Sequence, residues 1–136
     1  MKYTLTDEAK EFCGKKLHRV VCLKAFASVA VGETGGWVES ENNLSQDGNA
    51  WVYGNAQVSG DARVMSEKDY IVLKNTWSSG RYFTYTASNG KWSVGCFYGT
   101  GEELVDKAFN DSELSGKCYK AAVKFVEELE RIKASE

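Results

Sequence analysis

The sequence contains no proline and a single histidine, His18. Without proline, every chain reversal must be made by Gly, Asn, Asp or Ser. Four cysteines (Cys13, Cys22, Cys96 and Cys118) are scattered, with no Cys-x-x-Cys pair. They and one histidine do not supply the close N/S pairs of a zinc site, so no metal is expected. No Ser-His-Asp or Cys-His set can be assembled, and nucleophilic catalysis has no support. No apolar run approaches the roughly 20 residues that cross a bilayer. The start, "MKYTLTDEAKEF", lacks the apolar core of a signal peptide. A cytoplasmic protein is therefore expected, away from membranes, with reduced thiols packed as small hydrophobes. The net charge of −2 gives neither the basic surface of a nucleic-acid binder nor the acidity of a DNA mimic, so no direct nucleic-acid binding is expected.

What the sequence does contain is a short repeat. In "GNAWVYGNAQVSGDARVM", residues 48–65, Ala50, Ala56 and Ala62 lie six apart, as do Val52, Val58 and Val64. A period of six is not helical. It fits a β-solenoid in which each hexapeptide makes a short flat face and a corner, with Ala and Val pointing inward. Three hexapeptides make one triangular coil. Upstream, Val38 and Leu44 keep step with the Ala positions, while Ser40 and Gln46 occupy the Val positions, so a second coil is degenerate. Burying three Val and three Ala does not offset the conformational entropy of eighteen fixed residues. The coil must therefore be capped at its open ends by the N-terminal strands, the C-terminal lobe or another copy. Its use is as a small stiff block joining two lobes or two subunits.

The flanking segments read as follows. "AKEFCGKKLHRVVCLKAF" predicts a β-hairpin around a Gly turn, "GETGG" breaks the chain, Trp37 and Val38 begin another extended piece, and "ESENNLSQDG" is a loop. "SEKD" (66–69) is a junction. "YIVLK", "RYFTYT" and "KWSVGCFY" then predict a three-stranded antiparallel meander. "GTGEELVDKAF" predicts a short helix with the stripe Leu104, Val105, Ala108 and Phe109, and with Glu102 and Glu103 favouring the dipole in its first turn. Gly95, Gly99 and Gly101 form either a tight strand-to-helix turn or an anion cradle. The turn is favoured, because no P-loop Lys is present. A last helix starts near Ser115, with an apolar sector of Cys118, Ala122, Phe125, Val126, Leu129 and Ile132 flanked by Tyr119 and Val123. That sector is wider than a surface helix needs.

The expected fold is α+β: a truncated left-handed β-helix in a β-rich lobe (1–65), joined to a three-stranded meander with two C-terminal helices (66–136). Residues 1–65, carried by "GGWVESENNLSQDGNAWVYGNAQVSGDARV" after the "MKYTLTDEAKEF" start, resemble phage and prophage proteins of unknown function. Those continue through many "GNAxVx" units into a left-handed β-helix and are often labelled hexapeptide-repeat transferases. The resemblance implies a phage origin and a β-helix element. Acyltransferases of that kind place a histidine base in a cleft between the long β-helices of a trimer. Here the one candidate is His18, outside the repeat.

Two surfaces stand out. Trp77, Arg81, Phe83, Tyr85 and Trp92 either fill the meander's core or form a binding face. By alternation one of the sets Arg81/Phe83/Tyr85 and Tyr82/Thr84/Thr86 faces out. Phe125, Leu129 and Ile132 on the last helix either pack on the meander or form an oligomer or partner face. Glu127 and Glu128 read as solvated helix-surface charges. The expected function is non-enzymatic, without cofactor: a homodimeric phage accessory protein in the host bacterial cytoplasm. It would bind and inhibit a host protein such as a CRISPR-type defence component. One alternative is a sponge for a nucleotide signal, clamped by Arg81 with Trp77 or Tyr85. Another is a residual acyl or sugar-nucleotide transferase using His18.

Overall fold

The computed structural model describes residues 1–12 and 14–136. The expectation of a reduced thiol at Cys13 lies outside the described residues. The chain forms β1 (Tyr3–Phe12), β2 (Lys15–Cys22), β3 (Thr34–Val38), β4 (Gln57–Val58), β5 (Tyr70–Lys74), β6 (Tyr82–Thr86), β7 (Lys91–Val94), β8 (Phe97–Thr100), α1 (Gly101–Asp111) and α2 (Glu113–Ala134). It is a mixed α+β fold of two four-stranded sheets, ordered β1-β2-β3-β4 and β5-β6-β7-β8, with two helices. Among the described residues no helix is long and apolar enough to cross a membrane.

The repeat folds into two stacked layers. Parallel bridges join Val38 to Val58 and Leu44 to Val64, each pair 20 residues apart. Gly36, Trp37, Glu39 and Ser45 donate backbone N–H groups to Val52, Ala56, Val58 and Val64. Val38 and Leu44 therefore stack on the Val positions, not on the Ala positions as their spacing suggested. The inward branched residues Val38, Leu44, Val52, Val58 and Val64 are six, eight, six and six apart. The two extra residues sit in the corner between Leu44 and Val52. That corner wraps around Lys2, whose Nζ donates to the carbonyls of Asp47, Gly48 and Ala50. Buried Asn43 staples the layers: its Nδ2 donates to the carbonyls of Gly60 and Ala62 (3.2 and 2.8 Å). Gly35 and Gly36 do not break the chain but lie within β3. A Cβ at Gly35 would come within 2.5 Å of the Val52 carbonyl, so only glycine lets the layers approach this closely.

Both ends of the stack are closed. At the first, the antiparallel hairpin β1–β2 pairs through β2 with β3. Tyr3 packs edge-on to Trp51 and donates its O–H to the Leu44 carbonyl. The Gln46 side-chain amide bonds the Tyr3 backbone in both directions. At the second end, N–H groups of the last layer meet hydroxyls of the C-terminal lobe: Tyr53 with Tyr70 Oη (3.1 Å), Gln57 with Thr84 Oγ1 (3.0 Å) and Arg63 with Ser88 Oγ (2.8 Å). The Tyr98 O–H donates to the Ser59 carbonyl at 3.1 Å.

The second sheet has four strands where three were expected. "KWSVGCFY" splits into β7 and β8, with Val94 paired to Phe97 across a two-residue loop. Gly95 opens that loop at φ +54°, as type II′ hairpins require. The expectation of reduced thiols also fails at Cys96, which is disulfide-bonded; Cys22 and Cys118 are free. The expectation that one set of β6 side chains faces out fails too, because the sheet is covered on both faces. Register places Val72, Thr84, Ser93 and Tyr98 together toward the solenoid, and Ile71, Tyr85 and Trp92 together toward the helices. Phe83, Trp92, Leu104, Ala108, Tyr119, Val123 and Val126 form that second core.

α1 starts at a capping box between Thr100 and Glu103, whose carboxyl the Thr100 hydrogen bonds hold below the usual pKa range. α2 starts two residues earlier than expected, capped by Ser112. Phe109, assigned to the buried stripe, stays largely exposed with its ring laid over Gly116.

Thr84→Val retains the shape but leaves the Gln57 N–H without its acceptor. It is expected to destabilise the protein by about 1–3 kcal/mol in urea unfolding, with an unchanged m-value. A second expectation concerns alkaline pH. Burial pushes the phenols of Tyr3 and Tyr70 up to about 12 from 10.0. Folded pKa values above unfolded ones give a contribution that is complete below pH 10 and lost as pH rises toward 12. Unfolding measured between pH 8 and 11.5 should show this decline, and Tyr3→Phe should flatten it.

Candidate functional site

The five residues singled out around Arg81 do not form one surface. Phe83 and Trp92 are core residues, each 2 % exposed. Trp77 lies edge-on to Phe83 and Tyr119, with centroids 6.2 and 4.9 Å apart, and its indole N–H is buried without a hydrogen-bond partner. Arg81 precedes β6, is exposed and lies over Gly95. It lines a cavity of about 290 Å³ with Asn75, Lys107 and Asp111, whereas Tyr85 lines a different one. The pairing of Arg81 with Tyr85 in one clamp is therefore corrected. The aromatics are needed to fill the space between sheet and helices, and Arg81 remains outside it.

Tyr85 and Trp92 do meet, with centroids 5.1 Å apart, at the floor of a cavity of about 620 Å³. β6 and β7 supply the floor, Val123 and Val126 of α2 supply an apolar wall, and Glu102, Glu127 and Glu130 line it with carboxylates. Burial raises the Tyr85 phenol above its ordinary pKa, and the charges of Glu130 and Glu127 add to the shift. The Trp92 indole N–H has no hydrogen-bond partner among the described residues. Sequence reasoning missed this site. It assigned Glu102 to the helix dipole and Glu127 to solvent, because nothing local says that α2 crosses Trp92.

The wide apolar sector of α2 divides in two. Tyr119, Val123 and Val126 are buried against the sheet. Cys118, Ala122, Phe125, Leu129 and Ile132 run along the other flank at alternating steps of four and three, the spacing of a coiled-coil seam. Phe125 is 53 % and Ile132 44 % exposed, and Leu129 is half-buried. Up to its midpoint α2 carries Lys117, Lys120 and, one residue on, Lys124 against Glu113. The second half carries Glu127, Glu128 and Glu130 against Arg131 and Lys133. The end turns suit the helix dipole, with Glu113 first and Arg131 and Lys133 last, so the lysine and glutamate runs lie between them.

His18 is half-buried on β2, with Nδ1 3.0 Å from the Thr6 carbonyl. Among the described residues no group of three or more His, Cys, Asp or Glu side chains is placed to hold a metal ion.

No protein-family model matches the chain. It is similar to the uncharacterized acetyltransferase YdcK of Escherichia coli (strain K12), at 35 % identity over 60 residues, covering 38 % of this chain and 18 % of that protein. The chain thus spans less than a fifth of the length of this curated relative.

Replacing Trp77 by Phe keeps the ring stack and removes an indole N–H that is buried without a partner. Stability is expected to be unchanged or slightly raised in thermal unfolding, against a loss of roughly 3 kcal/mol or more for Trp77→Ala.

Proposed function

We propose that this chain is a binding protein: a phage-derived stub of a left-handed β-helix, sealed at both ends, that holds α2 as a docking face. It works as a symmetric dimer and acts by binding and inhibiting a protein of its bacterial host. The observation that carries this reading is the seam Cys118–Ala122–Phe125–Leu129–Ile132, in which Phe125 and Ile132 stand exposed in step with half-buried neighbours on a helix whose next face packs on the sheet. A second copy of α2 laid antiparallel sets the lysine-rich half of each helix beside the glutamate-rich half of the other. A parallel arrangement would set like charges together. Light scattering at roughly 100 µM should give twice the chain mass of 15.1 kDa, and Phe125→Glu should give the single mass. A monomeric wild-type protein overturns the dimer. Affinity capture from a bacterial lysate should retain one protein in stoichiometric amount, and capture of nothing across a range of salt overturns the inhibitor.

The similarity to an acetyltransferase favours a second reading, a residual acyl transferase with His18 as base. It predicts acetyl-coenzyme A binding by calorimetry and an acetyl transfer abolished in His18→Ala. Absence of binding removes it.

A further inference from the structure

We propose that the cavity over Tyr85 and Trp92 is a binding site for a small organic cation that carries an oxygen acceptor beside its ammonium group. It lies on the opposite flank of α2 from the seam, so it stands or falls apart from the docking face. At about 620 Å³ it is within the size range of small-molecule sites. Its floor is the half-buried Tyr85 ring backed by Trp92, tilted at 51° with centroids 5.1 Å apart, so that Tyr85 presents aromatic surface to a cation.

Its charges have the right sign, and two of its three carboxylates, Glu102 and Glu127, make no ion pair among the described residues. Glu130 is shared with Lys133 at 2.8 Å. Arg131, the one cation on the rim, is held by both carboxylate oxygens of Glu128, its Nε at 3.1 Å, so its charge is directed at that partner. A phosphate or carboxylate ligand would meet three carboxylates, which excludes the anionic class from this cavity.

The second observation is independent of charge. Trp92 is 98 % buried, lines the cavity and has an indole N–H with no hydrogen-bond partner among the described residues. Trp92 Nε1 would lie 3.3 Å from a Cβ at Gly101, itself a lining residue, so the N–H stands at the cavity wall by the start of α1. Trp92 Nε1 is not among the buried atoms left without a partner, so it opens to the cavity, where an oxygen on the ligand can accept from it. Val123 and Val126 accept the ligand's alkyl part. An ammonium with a hydroxyl two carbons away meets all four requirements.

Choline is the probe, titrated by calorimetry and tryptophan fluorescence at low salt. Saturable binding is expected, weakened roughly tenfold in Glu127→Gln, a surface change that leaves the fold intact. Trp92→Phe keeps an aromatic floor and removes the N–H. It should weaken choline by a larger factor than tetramethylammonium, which has no oxygen. Phe125→Glu should bind choline as wild type does, which separates this site from the seam. No saturable binding at tens of millimolar choline, or equal affinity in wild type and Glu127→Gln, overturns the proposal.

Discussion

A solenoid that ends after two layers leaves a row of backbone N–H and C=O groups pointing out of its last layer. Everything on the C-terminal side of this molecule follows from satisfying them. In a long β-helix the next coil does so. Here a sheet lies across the end, and a sheet covered face-on cannot offer its own backbone, which is already paired within it. It offers side chains: Tyr70, Thr84 and Ser88 accept from Tyr53, Gln57 and Arg63, and Tyr98 donates to Ser59. This explains a sheet face rich in Thr, Ser and Tyr in a position that would otherwise be an apolar core. Short hydroxyls suit the task because they accept a hydrogen bond without carrying a charge into the interface.

The cost of spending one face on hydroxyls is carried by the other. Apolar burial in the C-terminal lobe must come almost wholly from the helix side, and there the chain places Phe83, Tyr85, Trp92, Leu104, Tyr119, Val123 and Val126. The aromatic density that looked like a binding surface is thus a consequence of a sheet with only one oily face. The same division explains why α2 is long. It must cover four strands and the start of α1, and its second half then extends past the edge of the core, where Glu127, Glu130 and Val126 roof the cavity.

The inward Val and Ala positions of the repeat were legible in the sequence because six-residue spacing is not helical, and the need for caps followed from its shortness. The stacking register was not legible. Two extra residues between Leu44 and Val52 carry no periodic signal, and their effect shows only when Lys2 is found inside the corner they enlarge. The fourth strand was hidden because Gly-Cys is not one of the dipeptides that announce a hairpin, although Gly95 meets the conformational demand as Asn-Gly would. Alternation along β6 identified its two faces correctly, as Phe83/Tyr85 and Thr84/Thr86. It could not say that both are covered, since that depends on what lies above and below. The seam on α2 was visible as excess apolar width. The cavity was not, because Trp92 and Glu127 are far apart in the chain and meet only through docking of the helix.

The two flanks of α2 separate two kinds of recognition by their physics. The seam of Phe125, Leu129 and Ile132 is a stripe with no concavity. It gains from another extended apolar surface and has nothing with which to orient a small molecule. The cavity is the reverse: a concave aromatic floor, the carboxylates of Glu102 and Glu127 and one unspent donor discriminate by charge and by the position of an oxygen, and offer too little apolar area to hold a protein. Because α2 is a single rigid rod anchored by Tyr119, Val123 and Val126, a cation drawn against Glu127 and a partner pressed on Phe125 act on the same element from opposite sides. Coupling between them would require α2 to have two positions over the sheet. The close packing of Phe109 on Gly116 and of Val123 on Gly101, the burial of Val126 and the bond from Lys133 Nζ to the Lys68 carbonyl hold both halves in one.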